Sequence, residues 1–191
     1  TSLGDMLPAP KRWIVNFVVK HVKKMVPAFD LPGAGRFVDA VSKGASLSYT
    51  RPEITGDDIA YLQYTGGTTG VSKGGMLTHR NMVANLEQVS GFLETVIEPG
   101  KDMVVTALPL YHIYSFTLGF IVMMQGNHTV LIPNPRDMDA FIGEMKKWKF
   151  SGMSGLNTLF VGLYSHPEFK NIDFSGLKMT LSGGMALTSS A

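Results

Sequence analysis

The stretch Tyr64–Gly75 has the sequence Tyr-Thr-Gly-Gly-Thr-Thr-Gly-Val-Ser-Lys-Gly-Gly and follows a short apolar run, Ile59–Leu62, that predicts a buried strand. Its glycines allow the backbone to turn several N–H groups toward one point, and its hydroxyl side chains add further donors. Lys73 supplies a positive charge for a polyanion. The composition favours a phosphate-binding loop, with a flexible glycine-rich hairpin as the alternative.

Two common nucleotide motifs do not fit this loop. A Walker A loop needs Gly-Lys-Ser/Thr at its end, whereas here Ser72 precedes Lys73 and Gly74 follows it. The dinucleotide fingerprint needs a helix directly after its glycines. Here residues 75–77 are predicted to be extended, and the helix signal begins only at Thr78, a residue type typical of an N-cap.

Bulk composition narrows the class of protein. The chain has 191 residues, 45% of them hydrophobic, which is enough for a core and for one domain as the default. It has no cysteine, which excludes disulfides, thiolate metal sites and cysteine nucleophiles. A net charge of +2 gives no argument for nucleic acid. No apolar run approaches the length of a membrane span, and the residues at the start are not expected to act as a signal peptide.

The first 58 residues are predicted to form an N-terminal segment with a helix, Pro8–Val26, followed by a connector with a short helix near Phe37–Lys43. The long helix would be amphipathic, with Arg12 and three lysines opposite a broad apolar face. Such a helix can lie on an anionic membrane surface or dock on its own protein.

Residues 59–191 alternate strand and helix signals, which predicts an α/β fold with a largely parallel sheet covered by helices on both faces. The predicted strands after the loop are Met103–Ala107, Thr129–Ile132, Gly152–Ser154 and Lys178–Ser182. The predicted helices are His79–Leu93, Phe116–Met124, Pro135–Lys147 and Leu156–Tyr164.

The loop, the stretch Met76-Leu-Thr-His-Arg-Asn-Met82 and the motif Leu108-Pro-Leu-Tyr-His112 together resemble the acyl-adenylate-forming (AMP-binding) superfamily. Within it they resemble the bacterial long-chain fatty acid–coenzyme A ligases. Compared with that family, we expect this chain to be an interior piece of the large N-terminal domain, which alone would not catalyse adenylation.

The resemblance implies a set of site residues. Lys73 and Thr65 would be catalytic. The loop would bind the β- and γ-phosphates of ATP, with Mg²⁺ assisting, through Tyr64, Thr65, Gly66, Gly67, Thr68, Thr69, Gly70, Val71, Ser72, Lys73, Gly74 and Gly75. Gly183, Gly184 and Met185 would lie along the adenine, although the family commonly has proline at or just after Ala186. Tyr111 and His112 would border the acyl pocket. No metal ligands are predicted within this chain.

Three further patterns have plain alternatives. His112 lies among aromatic residues and could be an ordinary structural histidine. The apolar run Phe116–Met124 could line an alkyl channel or be simple core. Thr55-Gly56-Asp57 matches a family motif that belongs far downstream, so we assign Asp57 to a turn without a functional role.

The predicted function of the parent protein is an acid–thiol ligase of fatty acid degradation, which converts a fatty acid, ATP and coenzyme A into acyl-coenzyme A, AMP and pyrophosphate. Its predicted location is the cytoplasm, with peripheral contact to the inner face of the membrane and a homodimer as further expectations. The alternatives are another acid-activating adenylate-forming enzyme, or a non-catalytic lipid or membrane-surface module that uses the Pro8–Val26 helix.

Overall fold

The computed structural model describes residues 2–65 and 72–184, except for the side chain of Thr65. Thr1–Glu53 and Ile54–Ala191 form two compact units. The second unit contains all of the strands in the described residues, and it begins at the turn that leads into the first strand.

The first unit contains α1 (Lys11–Phe17), which continues as a π-helical turn over Val18–Val22, and α2 (Phe37–Gly44). The predicted Pro8–Val26 helix is therefore too long at both ends. Lys24 has a φ of 50°, a left-handed conformation that is incompatible with a continuing helix. In the part of the chain that the structure describes, no helix is both long and apolar enough to cross a membrane.

The second unit contains six strands and four α-helices among its described residues. The strands are β1 (Ile59–Thr65), β2 (Lys73–Thr78), β3 (Met103–Thr106), β4 (His128–Leu131), β5 (Gly152–Gly155) and β6 (Met179–Ser182). The helices are α3 (His79–Leu93), α4 (Ile113–Met124), α5 (Met138–Met145) and α6 (Asn157–Tyr164), with a 3₁₀ turn at Pro167–Asn171 that the sequence analysis did not predict.

Strands β1 and β2 form an antiparallel two-stranded hairpin. The expectation of a buried first strand is wrong, because Ile59 and Leu62 are 54% and 59% exposed. The apolar residues of β1 indicate strand propensity here rather than burial, as β-branched and aromatic residues favour extended backbone even at a surface. The extended conformation predicted for residues 75–77 is confirmed.

The other four strands form a parallel sheet in the order β4-β3-β5-β6. Neighbouring residues of β3 point to opposite faces of this sheet. Val104 packs against Leu118 and Val122 of α4, whereas Val105 belongs to the larger core formed with α5 and α6, which includes Phe141 and Leu163. Helices therefore cover both faces, and the predicted α/β fold is confirmed.

Side-chain caps set where three of the helices begin. The Thr78 hydroxyl accepts a hydrogen bond from the Asn81 N–H, and Asn81 Oδ1 accepts one from the Thr78 N–H, so the predicted cap of α3 is confirmed as a capping box. His112 caps α4, which starts three residues before the predicted Phe116. Asp137 caps α5, which therefore starts after the predicted Pro135 and ends at Met145 rather than Lys147.

Candidate functional site

The hairpin brings the two ends of the predicted phosphate loop together. Tyr64 is the cross-strand partner of Gly74, and Thr65 is the partner of Lys73. The two residues predicted to be catalytic, Thr65 and Lys73, are thus directly opposite one another where the loop begins and ends. Ser72 and Lys73 are both exposed to solvent.

Gly74 leaves room for a side chain of the opposite strand. The ring of Tyr64 lies across the hairpin from it, and a Cβ at position 74 would come within 3.2 Å of the ring. The remaining predicted phosphate-binding residues, Gly66, Gly67, Thr68, Thr69, Gly70 and Val71, lie outside the described residues. Gly75 continues β2 opposite Gln63.

The turn that precedes β1 is attached to the first turn of α3. Thr55 donates its backbone N–H and its hydroxyl to the Asp58 carboxylate. The Arg80 backbone N–H donates to Gly56 O at 2.7 Å, and its guanidinium pairs with Asp57 at 3.0 Å. Asp57 therefore has a structural contact, as expected for the Thr55-Gly56-Asp57 turn.

Tyr111 and His112 lie beside each other at the entrance to α4, and both are exposed. The Nδ1 atom of His112 accepts a hydrogen bond from the Tyr114 N–H at 3.3 Å. Since Nδ1 is an acceptor, the neutral ring carries its proton on Nε2, which becomes a donor. Tyr111 borders a groove formed by residues 106–111 and the segment after β4.

An apolar cavity of about 450 Å³ lies between α3, α4 and the end of β6. Neither Tyr111 nor His112 lines it; the next two residues, Ile113 and Tyr114, do. The other lining residues are Leu77, Asn81, Met82, Asn85, Val89, Phe92, Leu93, Thr117, Leu118, Ile121, Leu181 and Ser182. The run Phe116–Met124 is thus divided, since Leu118 and Ile121 line the cavity while Met123 and Met124 are exposed.

Two of the residues that line this cavity have buried hydroxyl groups, and we call this polar part of the lining its rim. Among the described residues, neither the Tyr114 hydroxyl nor the Ser182 hydroxyl has a hydrogen-bond partner. Burial raises the pKa of Tyr114 above its ordinary value, because removal from water disfavours the phenolate. The cavity therefore combines apolar walls with a neutral polar rim, the usual pattern of a small-molecule site.

The two glycines predicted to lie along adenine follow β6 at this rim. A Cβ at Gly183 would come within 2.8 Å of the Tyr114 ring, and Gly184 has a φ of 85°, which favours glycine. Met185 lies outside the described residues. The structure thus brings the predicted adenine segment together with α4, through Tyr114 rather than through His112.

Sequence reasoning missed the contribution of α3 to this cavity. Met82, Val89 and Leu93 recur at helical spacing, but that pattern is equally typical of a helix that packs on a core. Only the position of α3 beside α4, which local sequence does not give, identifies these residues as cavity walls.

The model of the AMP-binding enzyme family matches residues 7–191. Among curated proteins, the chain is 48% identical over 186 residues to the long-chain-fatty-acid–CoA ligase of Salmonella typhimurium, covering 97% of the chain and 33% of the relative. It is 46% identical over 193 residues to the enzyme of that name from Haemophilus influenzae, covering 100% and 34%. The chain spans about a third of the length of these relatives.

Among solved structures, ATP-bound MatB from Rhodopseudomonas palustris is similar with a TM-score of 0.64 and 27% identity, covering 80% of this chain and 29% of that one.

Proposed function

Because the chain belongs to the AMP-binding enzyme family, we propose that the whole protein joins a long-chain fatty acid to coenzyme A at the expense of ATP. The observation that carries this proposal is the placement of the Thr65–Lys73 pair in the same compact unit as the apolar cavity. One part suits a polyphosphate and the other an alkyl chain. The names of the similar proteins support the same reaction.

In the first step, an oxygen of the fatty acid carboxylate bonds to the α-phosphorus of ATP while the bond to the β-phosphate oxygen breaks and pyrophosphate leaves. The carboxylate is already ionised at neutral pH, so this step needs no general base. In the second step, the sulfur of coenzyme A bonds to the acyl carbon, AMP leaves, and the thiol proton passes to solvent. Catalysis depends on donors and cations that stabilise charge on the phosphates.

We assign the phosphates to the hairpin loop, where Lys73 and the loop N–H and hydroxyl groups would neutralise charge on the leaving pyrophosphate. Gly183 and Gly184 would offer backbone to the adenine. We propose that Mg²⁺ enters with ATP and assists at its phosphates, as the resemblance to the family implies. Coenzyme A is proposed as a substrate of the whole protein.

We assign the alkyl chain to the cavity between α3 and α4, which is lined mainly by apolar side chains. Its polar rim at Tyr114 and Ser182 would lie toward the carboxylate end of the substrate. His112, with Nε2–H as its donor, would help to position that carboxylate from outside the cavity, and Tyr111 would border the separate groove formed with the segment after β4.

The residues that support a peripheral membrane contact all lie in the first unit. Trp13, Ile14 and Phe17 of α1 are each more than 60% exposed, and Lys20 and Lys23 follow them. We propose that the protein works in the cytoplasm and that this helix contacts anionic lipid at the inner membrane face. Flotation with anionic vesicles that is unchanged after replacement of Lys20, Lys23 and Lys24 would count against that contact. The homodimer also stays a prediction, which sedimentation would test.

The decisive experiment is fatty-acid-dependent ATP–pyrophosphate exchange by the protein made from the complete coding region. We expect exchange to rise with acid chain length and to fall about 100-fold in Lys73→Ala, since a cation at the phosphates is lost. Lys170→Ala, which removes a lysine at the end of the 3₁₀ turn, is the matched control and should behave as wild type. Residues 1–191 alone should give no exchange.

The same assay separates the rival functions. A preference for aromatic or amino acids over fatty acids would indicate a different adenylate-forming enzyme. Nucleotide binding without exchange for any acid would overturn the ligase proposal.

A further inference from the structure

The phosphate hairpin depends on contacts outside its own strands. β1 and β2 pair with each other and with no other strand among the described residues. A two-stranded hairpin is marginally stable in water by itself. The position of Lys73 is therefore set by whatever holds the hairpin against the rest of the second unit.

One such contact is a cluster of three aromatic rings in edge-to-face pairs, which we call the aromatic stack. The rings of Tyr61 in β1 and Phe116 in α4 meet in an edge-to-face arrangement, with centroids 4.9 Å apart and an interplanar angle of 83°. Phe116 in turn meets Phe120 at 4.7 Å and 82°. All three rings are half-buried. Edge-to-face geometry fixes the direction of approach as well as the distance, because the ring quadrupoles favour it over a parallel arrangement.

The register of the hairpin connects this stack to Lys73. Tyr61 is the direct cross-strand partner of Leu77, and Leu77 lines the apolar cavity. Lys73 lies four residues before Leu77 in β2, and the only register irregularity lies between Ile59 and Tyr61. Since side chains alternate along a strand, Lys73, Leu77 and Tyr61 share one face of the hairpin. This is the face that contacts α4.

Helix α4 carries both contacts. Phe116 contacts Tyr61 of the hairpin and also Phe120, one turn further along α4, whereas Tyr114 and Leu118 line the cavity. A single rigid helix thus touches the element that bears the phosphate lysine and the cavity assigned to the alkyl chain.

We propose that Tyr61 is a positioning residue that, through Phe116, fixes Lys73 relative to the cavity between α3 and α4. This inference rests on the proposed function for its catalytic consequence. Tyr61 does not touch the reacting atoms in this proposal; it sets the distance between the two substrate-binding parts. Small displacements of this kind strongly reduce rates that depend on orientation.

The test compares Tyr61→Leu, Tyr61→Phe, Phe116→Leu and the double variant Tyr61→Leu/Phe116→Leu in the protein made from the complete coding region. Amide hydrogen exchange of the β2 segment 73–78 is measured without substrates. We expect exchange to become about three- to tenfold faster in Tyr61→Leu, which is the range for loss of one aromatic pair, and unchanged in Tyr61→Phe, which keeps the ring. The double variant should be no worse than Phe116→Leu, because that change alone already removes the contact with Tyr61.

The kinetic readout separates positioning from general destabilisation. Tyr61→Leu should lower kcat and raise the KM for ATP, each by a similar factor, while the KM for the fatty acid stays within about twofold of wild type; Tyr61→Phe should keep the wild-type values. Unchanged exchange in segment 73–78, additive effects in the double variant, or an equal rise of both KM values would each overturn the inference.

Failure of the proposed function gives a different result. If the wild-type protein shows no fatty-acid-dependent exchange of pyrophosphate, the ligase proposal fails. The hydrogen-exchange comparison and calorimetric titration of ATP then still decide whether Tyr61 fixes the hairpin and whether that matters for ATP.

Discussion

The two edges of the parallel sheet, where its strands begin and where they end, differ in how their buried polar groups are paired. At the amino edge, Asp102 and Lys178 immediately precede β3 and β6, and their charges are paired. Lys178 Nζ lies 3.0 Å from Asp102 Oδ1 and 2.9 Å from Glu98 Oε1, and the Glu98 N–H donates to the Asp102 carboxylate. Asp102 is only 4% exposed, yet its carboxylate has several partners.

At the carboxyl edge, polar groups are buried without partners. The hydroxyls of Thr106, Ser154 and Ser182, at the ends of β3, β5 and β6, have no hydrogen-bond partner among the described residues. Buried polar groups are nearly always paired in proteins, so such a cluster is unusual. Ligands of open α/β sheets bind outside the carboxyl ends of the strands. The amino edge is thus held by paired charges, whereas these three hydroxyls at the carboxyl edge lack partners; unpaired hydroxyls also occur elsewhere, at Thr129 near the start of β4 and at Ser90 of α3.

The largest effect that would test this comparison is expected from Asp102→Ala. The change leaves the Glu98 N–H unpaired and removes the buried partner of Lys178. We expect the free energy of unfolding to fall by about 3 kcal/mol, as for other broken buried ionic contacts. Urea unfolding measures it.

The control is Asp57→Ala, which removes the carboxylate of the exposed Arg80 pair, whose side chains are 69% and 80% exposed. It should change stability very little, as isolated surface ion pairs do. An equal loss in both variants would show that the amino edge has no special stabilising role.

The second effect is expected from Gly183→Ala at the carboxyl edge. The added Cβ would lie 2.8 Å from the Tyr114 ring, so the ring must move. Overpacking of this kind costs about 1–3 kcal/mol. Pyrophosphate exchange should fall as well, because Tyr114 borders the cavity. Gly91→Ala in α3 is the control, since nothing lies within 4 Å of its new Cβ. Loss of stability in Gly91→Ala but not in Gly183→Ala would refute the close approach at the rim.

A third, smaller effect concerns pH. Burial opposes ionisation of Asp102, but the Glu98 N–H and Lys178 outweigh it and hold its pKa below 3.8. Hydrogen bonds from Lys178 and Lys101 hold the pKa of Glu98 below 4.5. Both values are lower in the folded state, so this stabilisation is present above pH 4.5 and is lost as the pH falls through the lowered values.

The pKa of Lys178 is shifted in the opposite direction. Hydrogen bonds to Glu98 and Asp102 raise its pKa above 10.5, so its contribution is present below pH 10.5 and is lost as the pH rises through the raised value. The free energy of unfolding, measured from pH 3 to 11, should therefore be nearly constant around neutral pH and fall on both sides. In Asp102→Asn, the free energy of unfolding should fall less steeply at acid pH. The same acid dependence in this variant and the wild type would show that other groups cause it.

Local signals made much of this fold predictable. Thr78 predicted the start of α3 because capping depends only on nearby residues. The alternation of strands and helices likewise predicted the parallel sheet. The apolar run at Ile59 was misleading, because sequence period does not show whether a strand lies inside a sheet or in an exposed hairpin.

The candidate site was predictable only in part. The loop motif pointed to Lys73, but a glycine-rich hairpin was only the alternative to a phosphate-binding loop, so the antiparallel pairing of β1 with β2 was not predicted. The motif before α4 drew attention to Tyr111 and His112, whereas Tyr114 lines the cavity and contacts Gly183. The division of α4 between cavity and aromatic stack depends on two elements far away in sequence, β1 and α3. Such non-local contacts leave no periodic signal.

The smallest expected effect compares two serines that are fully buried, Ser154 and Ser115. The Ser115 hydroxyl donates to Leu108 O at 2.9 Å, whereas the Ser154 hydroxyl has no partner among the described residues. Ser115→Ala should cost about 1 kcal/mol, the net value of a typical hydrogen bond and of the acceptor left unpaired. Ser154→Ala removes a polar group that gains nothing from burial, so stability should stay the same or rise slightly. If Ser154→Ala cost as much as Ser115→Ala in urea unfolding, the carboxyl edge would be satisfied in solution, and the contrast with the amino edge would disappear.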